Sequence, residues 1–196
     1  MSIFFSSDTH YWHKHIIGYC GRPYLSVEDM NEGMIFNWNA RVNQDDDVWF
    51  LGDFAFCGTT KAREIFDRLK GHKRLILGNH DYQNAKKLPW ESMHDYLLIR
   101  PHIEYQDDEG EIRKTPHPVV LCHFPILSWD GMAHSSWHLH GHCHGSLKDT
   151  GALRLDVGVD PNAMSPISLE EVQTKMALRT VVPVDHHRPE NRSNPA

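Results

Sequence analysis

Asp8, His10, Asp53, Asn79, His123, His142 and His144 are the side chains in this sequence best suited to holding metal ions. Carboxylates combined with imidazoles suit a divalent transition metal such as Mn, Fe or Zn. Asp8 and His10 stand two residues apart, as do His142 and His144. In an extended chain, residues i and i+2 project to the same side, so each pair is expected to clamp a common centre. Asn79 adds a neutral oxygen, and Asp53 adds a carboxylate whose two oxygens could bridge two ions. These ligands exceed what one tetrahedral zinc requires. They suffice for two neighbouring ions, the arrangement used for phosphoryl chemistry.

The elements that must position these groups are legible around them. Arg74-Leu75-Ile76-Leu77 reads as a short buried strand that breaks at Gly78 into Asn79, His80 and Asp81. The same shape recurs where Ile3-Phe4-Phe5 leads to Asp8-Thr9-His10 and Val48 to Leu51 leads to Gly52-Asp53. Val119 to Cys122 leads to His123, and Trp137 to His140 leads to Gly141-His142-Cys143-His144. Ser26-Val27-Glu28-Asp29 is a capping-box start for a helix to about Val42, carrying Met30, Met34, Ile35 and Trp38 at helical spacing. Thr59 or Thr60 is expected to cap a second helix carrying Ile65, Phe66 and Leu69, with Gly71 as its C-cap. The order strand, helix, strand, helix, strand predicts a parallel sheet with crossover helices. Beyond Asp81 the spacing predicts a short helix from Tyr82 to Leu88, then strands over Tyr96 to Tyr105 and Ile112 to Thr115 around an Asp107-Asp108-Glu109-Gly110 turn. A strand over Leu153 to Val157 and a last helix from Ser168 to about Met176 complete the pattern.

The 196 residues fit one domain, taken as 1–183, followed by a polar tail over 184–196 expected to be flexible. A net charge of −6 argues against broad electrostatic binding of nucleic acid, though not against a nucleotide substrate. Cys20, Cys57, Cys122 and Cys143 form no C-x-x-C pair, so a reduced cytoplasmic setting is expected. No apolar run approaches the ~20 residues of a membrane span, and no membrane partner is expected. Nothing in the sequence fixes an oligomeric state.

Taken in order, D-x-H (Asp8, His10), G-D (Gly52, Asp53), G-N-H-D (Gly78 to Asp81), a lone His123 after a strand and G-H-x-H (Gly141, His142, His144) make the chain resemble the calcineurin-like metallophosphoesterase superfamily, in particular its small bacterial and phage members. The resemblance runs from Phe4 to at least His144 and on to the Asp156-Val157-Gly158-Val159-Asp160 stretch. It implies an α/β fold, a four-layer αββα sandwich of two mixed sheets flanked by helices, with a dinuclear site at the sheet edge. By position, Asp8, His10, Asp53 and His144 would hold the first ion, and Asp53, Asn79, His123 and His142 the second. Manganese is the favoured metal, with Fe, Zn, Ni or Co as alternatives. The implied activity is hydrolysis of a small phosphate ester, possibly a nucleotide, by a hydroxide held between the ions. One departure narrows this. The protein-phosphatase branch carries G-D-x-V-D-R-G, whereas this chain reads Gly52-Asp53-Phe54-Ala55-Phe56-Cys57-Gly58. The absent arginine favours a diester over a doubly charged monoester.

Of the remaining residues, His80 is the motif position not needed as a ligand, and it is expected to act as general acid, worth ~10²–10⁴-fold. Asp81 either orients the His80 imidazole or caps a helix. Arg22, His13 and His15 lie in the loop after Asp8 and are candidate substrate contacts, Arg22 as a bidentate fork. His138 and His140 read as satisfied buried histidines, and Cys143 should point away from the ions. Trp12, Trp129 and Trp137 read as packing groups. Two rival functions are a partner-binding scaffold, which predicts eroded ligands, and a nuclease, which predicts a basic groove. A single structural zinc would need only about four ligands, with thiolates prominent.

Overall fold

The computed structural model describes residues 1–182 and Val184. The expected tail therefore lies, beyond Val184, outside the described residues. Three strands alternate with helices at the start: β1 (Ile3–Ser6), α1 (Ile16–Cys20), α2 (Val27–Arg41), β2 (Asp47–Phe50), α3 (Thr59–Arg68) and β3 (His72–Ile76). Then come α4 (Gln83–Lys86), β4 (Met93–His94), β5 (Tyr96–Ile99), β6 (His102–Gln106), β7 (Ile112–Pro116) and β8 (Val119–Cys122). The chain closes with β9 (Trp137–His140), β10 (Arg154–Asp156), β11 (Ile167–Ser168) and α5 (Leu169–Met176).

These build a mixed α/β protein. One sheet has the order β11-β1-β2-β3-β4, parallel except for β11, and a second has β10-β9-β8-β5, parallel except for β5. A separate β6–β7 hairpin turns at 107–110 as its Asp and Gly content predicts. Alternation along the strands decides which way each side chain faces. Phe4, Val48, Phe50 and Leu75 join Met30, Met34, Ile35 and Trp38 of α2 and Ile65 and Phe66 of α3 in one core. Phe5, Leu51 and Ile76 face the other way and join Leu121, Leu139, Leu155 and Val172 in a second core, between the sheets.

The caps are partly as expected. Ser26 accepts from the Asp29 amide, and Ser168 with Glu171 forms a capping box. At α3 neither threonine caps: Gly58 is the N-cap, and the Thr59 hydroxyl is drawn away to the Asn84 carboxamide at 3.1 Å. Leu69, not Gly71, is the C-cap; Gly71 instead turns the chain into β3 at φ +91°. The expected strand over Tyr96 to Tyr105 is two strands in different sheets, parted at Pro101, whose nitrogen cannot donate to a ladder. The two-residue β4 and β11, and the short α1 inside the loop after Asp8, carry too little periodic pattern to read from sequence. Among the described residues no helix is long and apolar enough to cross a membrane.

Candidate metal centre

Ser6 pairs with Phe50 and Phe50 with Leu75, so β1, β2 and β3 end level with one another. The segments carrying Asp8, Asp53 and Asn79 therefore leave one rim of the first sheet together. Leu121, Leu139 and Leu155 align the second sheet in the same way, placing His123 and His142 beyond its ends. The two rims are tied to each other. Ser7 bridges to Gly158, and the His142 amide donates to Asp8 Oδ2 at 2.9 Å. A Cβ on Gly141 would run into Ser7 Oγ and Asp8 Oδ2, which is why the residue before His142 has no side chain.

The route to convergence differs from the extended-chain expectation. Asp8, His10, Asp53, His142 and His144 all have left-handed backbones, with φ between +48° and +68°. The i, i+2 parity of a strand therefore does not apply to Asp8/His10 or His142/His144. Such conformations cost of order 1–3 kcal/mol each and persist only where surrounding structure imposes them. At Asp8 and His10 backbone hydrogen bonds hold them, from the Asp8 amide to the Gly52 carbonyl and from the His10 amide to the Asp53 carbonyl.

All seven predicted ligands meet. Asp8, His10 and His144 offer ligand atoms within 4.8 Å of one another, as do Asp8, Asp53 and His123. Asp53 Oδ2 lies 3.5 Å from His10 Nε2 and 3.6 Å from His123 Nε2. Asn79 Oδ1 lies 3.0 Å from both His123 Nε2 and His142 Nδ1. His123 Nδ1–H donates to the Leu51 carbonyl at 2.7 Å, which leaves Nε2 as a bare lone pair facing the Asn79 and Asp53 oxygens. His144 Nδ1 is held by Asp160 Oδ2 at 2.7 Å, turning its Nε2 toward Asp8 Oδ1 at 3.9 Å. Asp8 Oδ1 and His10 Nε2 are buried with no hydrogen-bond partner. Acceptors aimed at one another without intervening donors are costly by themselves and suit a cation among them.

Protonation follows burial. Burial lifts the Asp8 carboxyl to about 7, against the lowering pull of His123 and His144. Burial, reinforced by His144 and Arg22, pushes the His10 imidazole down to about 2, so it presents a neutral lone pair. Burial also disfavours a His144 cation, but the Asp160 hydrogen bond and the charge of Asp8 outweigh it, and the net direction is upward.

His80 stands beside this cluster, its ring 5.6 Å from that of His10 and its amide donating to Asp53 Oδ1 at 2.8 Å. Its Nδ1 is buried and unpartnered. Asp81 neither orients that ring nor caps α4, whose N-cap is Tyr82. Its carboxylate accepts the backbone amides of Asp53, Phe54 and Gly78 at 2.8 to 3.0 Å, bracing the loop that carries Asp53. Arg22 is not a substrate fork. It is buried, and its guanidinium donates to the Asp8 and Thr9 carbonyls and bidentately to Asp160. His13 comes near the centre, stacked on Phe56 with ring centroids 4.3 Å apart, whereas His15 is exposed beyond it against Tyr19. His138 is fully buried between the Val120 and Phe124 carbonyls, and the His140 ring turns to the Gly141 carbonyl. Asp160 is the site residue that sequence reasoning passed over. Its only sequence signal was its place in the Asp156-Val157-Gly158-Val159-Asp160 stretch after β10.

The fold and site together define a mixed α/β protein whose sheet rims gather carboxylate, carboxamide and imidazole groups able to hold metal. The chain belongs to the family of the uncharacterized protein MJ1445 from Methanocaldococcus jannaschii, to which it is 31% identical over 178 residues, 86% of this chain and 87% of that one. The Gene 66 protein of Mycobacterium phage L5 is 30% identical over 188 residues, covering 80% of this chain and 85% of its own. The Gene 66 protein of Mycobacterium phage D29 is 29% identical over 185 residues, at 81% and 88%. A protein of unknown function from Aquifex aeolicus, AQ665, shares the fold with a TM-score of 0.61 at 22% identity, over 88% of this chain and 98% of that one. No family model matches the chain.

Proposed function

We propose that this protein is a metal-dependent phosphodiesterase of the calcineurin-like metallophosphoesterase type. The observation that carries the reading is the single oxygen of Asp53 lying 3.5 and 3.6 Å from imidazole nitrogens of two different ligand groups. Asp8, His10, Asp53 and His144 would hold one divalent ion and Asp53, Asn79, His123 and His142 a second. The donor set of oxygen and imidazole nitrogen suits Mn, Fe or Zn, with Ni and Co as alternatives. Such a pair supplies Lewis-acid stabilisation of phosphoryl charge and a water acidic enough to ionise near neutral pH. The architecture supports the four-layer sandwich: α2 and α3 cover one sheet, and the two sheets share a core.

Hydrolysis joins the water oxygen to phosphorus, breaks the P–O bond to the leaving group and delivers a proton to that departing oxygen. His80 would donate it. Its amide is anchored to the Asp53 carboxylate, while its ring remains uncommitted beside His10. Because Arg22 is consumed by Asp160 and backbone carbonyls, no guanidinium from that loop is left for the second negative charge of a monoester. This supports a diester. The four cysteines are free thiols, in keeping with a reducing, cytoplasmic setting.

Elemental analysis of metal-saturated protein tests the centre, alongside hydrolysis of a panel of phosphodiesters. Two ions per chain are expected in the wild type, about one in His142→Ala, and none firmly held in Asp53→Ala. Fewer than two ions at saturation, or a loaded protein inert toward every diester, would overturn the proposal.

A further inference from the structure

Leu139 and Leu155 point into the core between the sheets, so alternation turns His140, Arg154 and Asp156 to the outer face of the second sheet, at its edge strand β10. There they line a cavity of about 320 Å³, completed by Lys148 and Asp149 and by Lys175 and Arg179 from the end of α5 and just beyond it. In a protein whose net charge is −6, this space gathers four cations against two carboxylates. Both carboxylates are spoken for. Asp149 takes the Arg179 guanidinium bidentately at 2.8 and 2.7 Å, and Asp156 accepts the Gly145 and Gly158 amides at 2.9 and 2.8 Å. Among the described residues Lys148, Arg154 and Lys175 have no carboxylate partner. Arg154 donates one Nη1 hydrogen bond to the Ile126 carbonyl, and Lys175 reaches only the Asn162 carboxamide. The floor is polar too. His140 is 2% exposed and gives its Nδ1–H to the Gly141 carbonyl at 2.8 Å, which leaves Nε2 as an acceptor. Clefts lined by one sign of charge concentrate counter-ions, and the surplus here is two positive charges.

We propose that this cavity is a second ligand site, for a small dianion of the phosphate type, either inorganic phosphate or the phosphate of a monoester. Charge selects the class. A monoester phosphate carries about −1.5 to −2 at neutral pH, matching the surplus, whereas a diester or a single carboxylate carries only one negative charge. Arg154 supplies its remaining guanidinium N–H groups for two-point contact, Lys148 and Lys175 add mobile charges, and His140 Nε2 accepts from a hydroxyl on the ligand. The volume sits at the low end of the ~300–1,000 Å³ of ligand pockets, which suits a phosphate with a small substituent. None of these residues is a candidate metal ligand, so the site stands or falls apart from the phosphodiesterase reading.

The test titrates ¹⁵N-labelled protein, as purified, with inorganic phosphate, glycerol 2-phosphate and dimethyl phosphate, and follows the amide signals of Thr150, Arg154 and Arg179. These report the cavity and not the metal centre. Inorganic phosphate and glycerol 2-phosphate should shift them saturably, and singly charged dimethyl phosphate should bind at least about tenfold more weakly. Tighter binding of glycerol 2-phosphate than of phosphate identifies an esterified ligand, and equal binding identifies the free anion. Arg154→Gln should weaken binding about tenfold or more, the loss expected for a charge-assisted hydrogen bond. Lys148→Ala, at an exposed side chain whose removal leaves the fold untouched, should weaken it by a smaller factor. Metal content should be unchanged in both variants. No saturable shift of the three amides below about 10 mM phosphate, equal binding of dimethyl phosphate, or binding unchanged in both variants would overturn the site.

Discussion

Asp160 Oδ2 sits 2.7 Å from His144 Nδ1 while both oxygens of the same carboxylate receive the Arg22 guanidinium. One side chain thus orients the ring of a candidate ligand histidine and neutralises a buried arginine that holds the Asp8 and Thr9 carbonyls. Carboxylates in this position orient the ring and raise its basicity, and their loss typically weakens metal binding by about 10–100-fold. Asp160→Asn should therefore lower metal affinity by that factor with little change in fold. Both variants remove the counter-charge of the buried Arg22 and should destabilise the protein, Asp160→Ala by the larger amount, roughly 3–5 kcal/mol, because it removes the hydrogen-bond acceptors as well. Metal titration and urea denaturation separate the two effects. Equal metal affinity in Asp160→Asn and the wild type would remove Asp160 from the site.

Asp8 sets the response to acid. A carboxyl lifted by burial to about 7 must release its proton before it can serve as a ligand. Metal affinity should therefore be flat above about pH 7 and fall roughly tenfold per unit below it, and the raised His144 acts in the same sense. In the metal-free protein the sign reverses. The folded state binds the Asp8 proton more tightly than the unfolded chain does, so this group's contribution to stability declines as pH rises from about 4 through 7. Metal titrations between pH 5.5 and 8.5 check the first statement, and Asp8→Asn should flatten the profile.

His80→Ala should retain both ions and its melting temperature but lose about 10²–10⁴-fold in kcat on a diester with a poor leaving group. On an aryl ester, whose leaving oxygen needs no proton, the loss should be far smaller. A uniform loss on both would mean that His80 positions the substrate without donating a proton.

Asp81→Ala should act on the fold first. It strands the buried amides of Asp53 and Phe54, at about 1–3 kcal/mol for each left unsatisfied, and the partly buried amide of Gly78. The loss should appear as a lowered urea midpoint. Metal binding should weaken as a consequence, since the displaced loop carries Asp53. A variant of unchanged stability would contradict the bracing role.

The types and order of the candidate ligands were written in the sequence. A carboxylate, carboxamide or imidazole placed just past a short apolar run can lie only at a strand end, and strand ends of one parallel sheet share a rim. Which core each apolar residue joins, Phe4 and Leu75 one and Phe5 and Ile76 the other, is decided by the two faces of the folded sheet. What sequence could not supply was everything set by partners distant along the chain. Arg22 had the chemistry of a phosphate fork, and Asp81 that of a catalytic relay. Each was claimed instead by groups from other parts of the fold, Asp160 for the one and the Asp53 loop for the other. The left-handed backbones at five of the seven candidate ligands are equally invisible in a linear pattern, because at Asp8, His10, Asp53 and His142 the amide is held by a group distant along the chain. Local periodicity decides where a side chain leaves its strand. Only the packed tertiary structure decides which neighbour meets it, and so whether it is free to react.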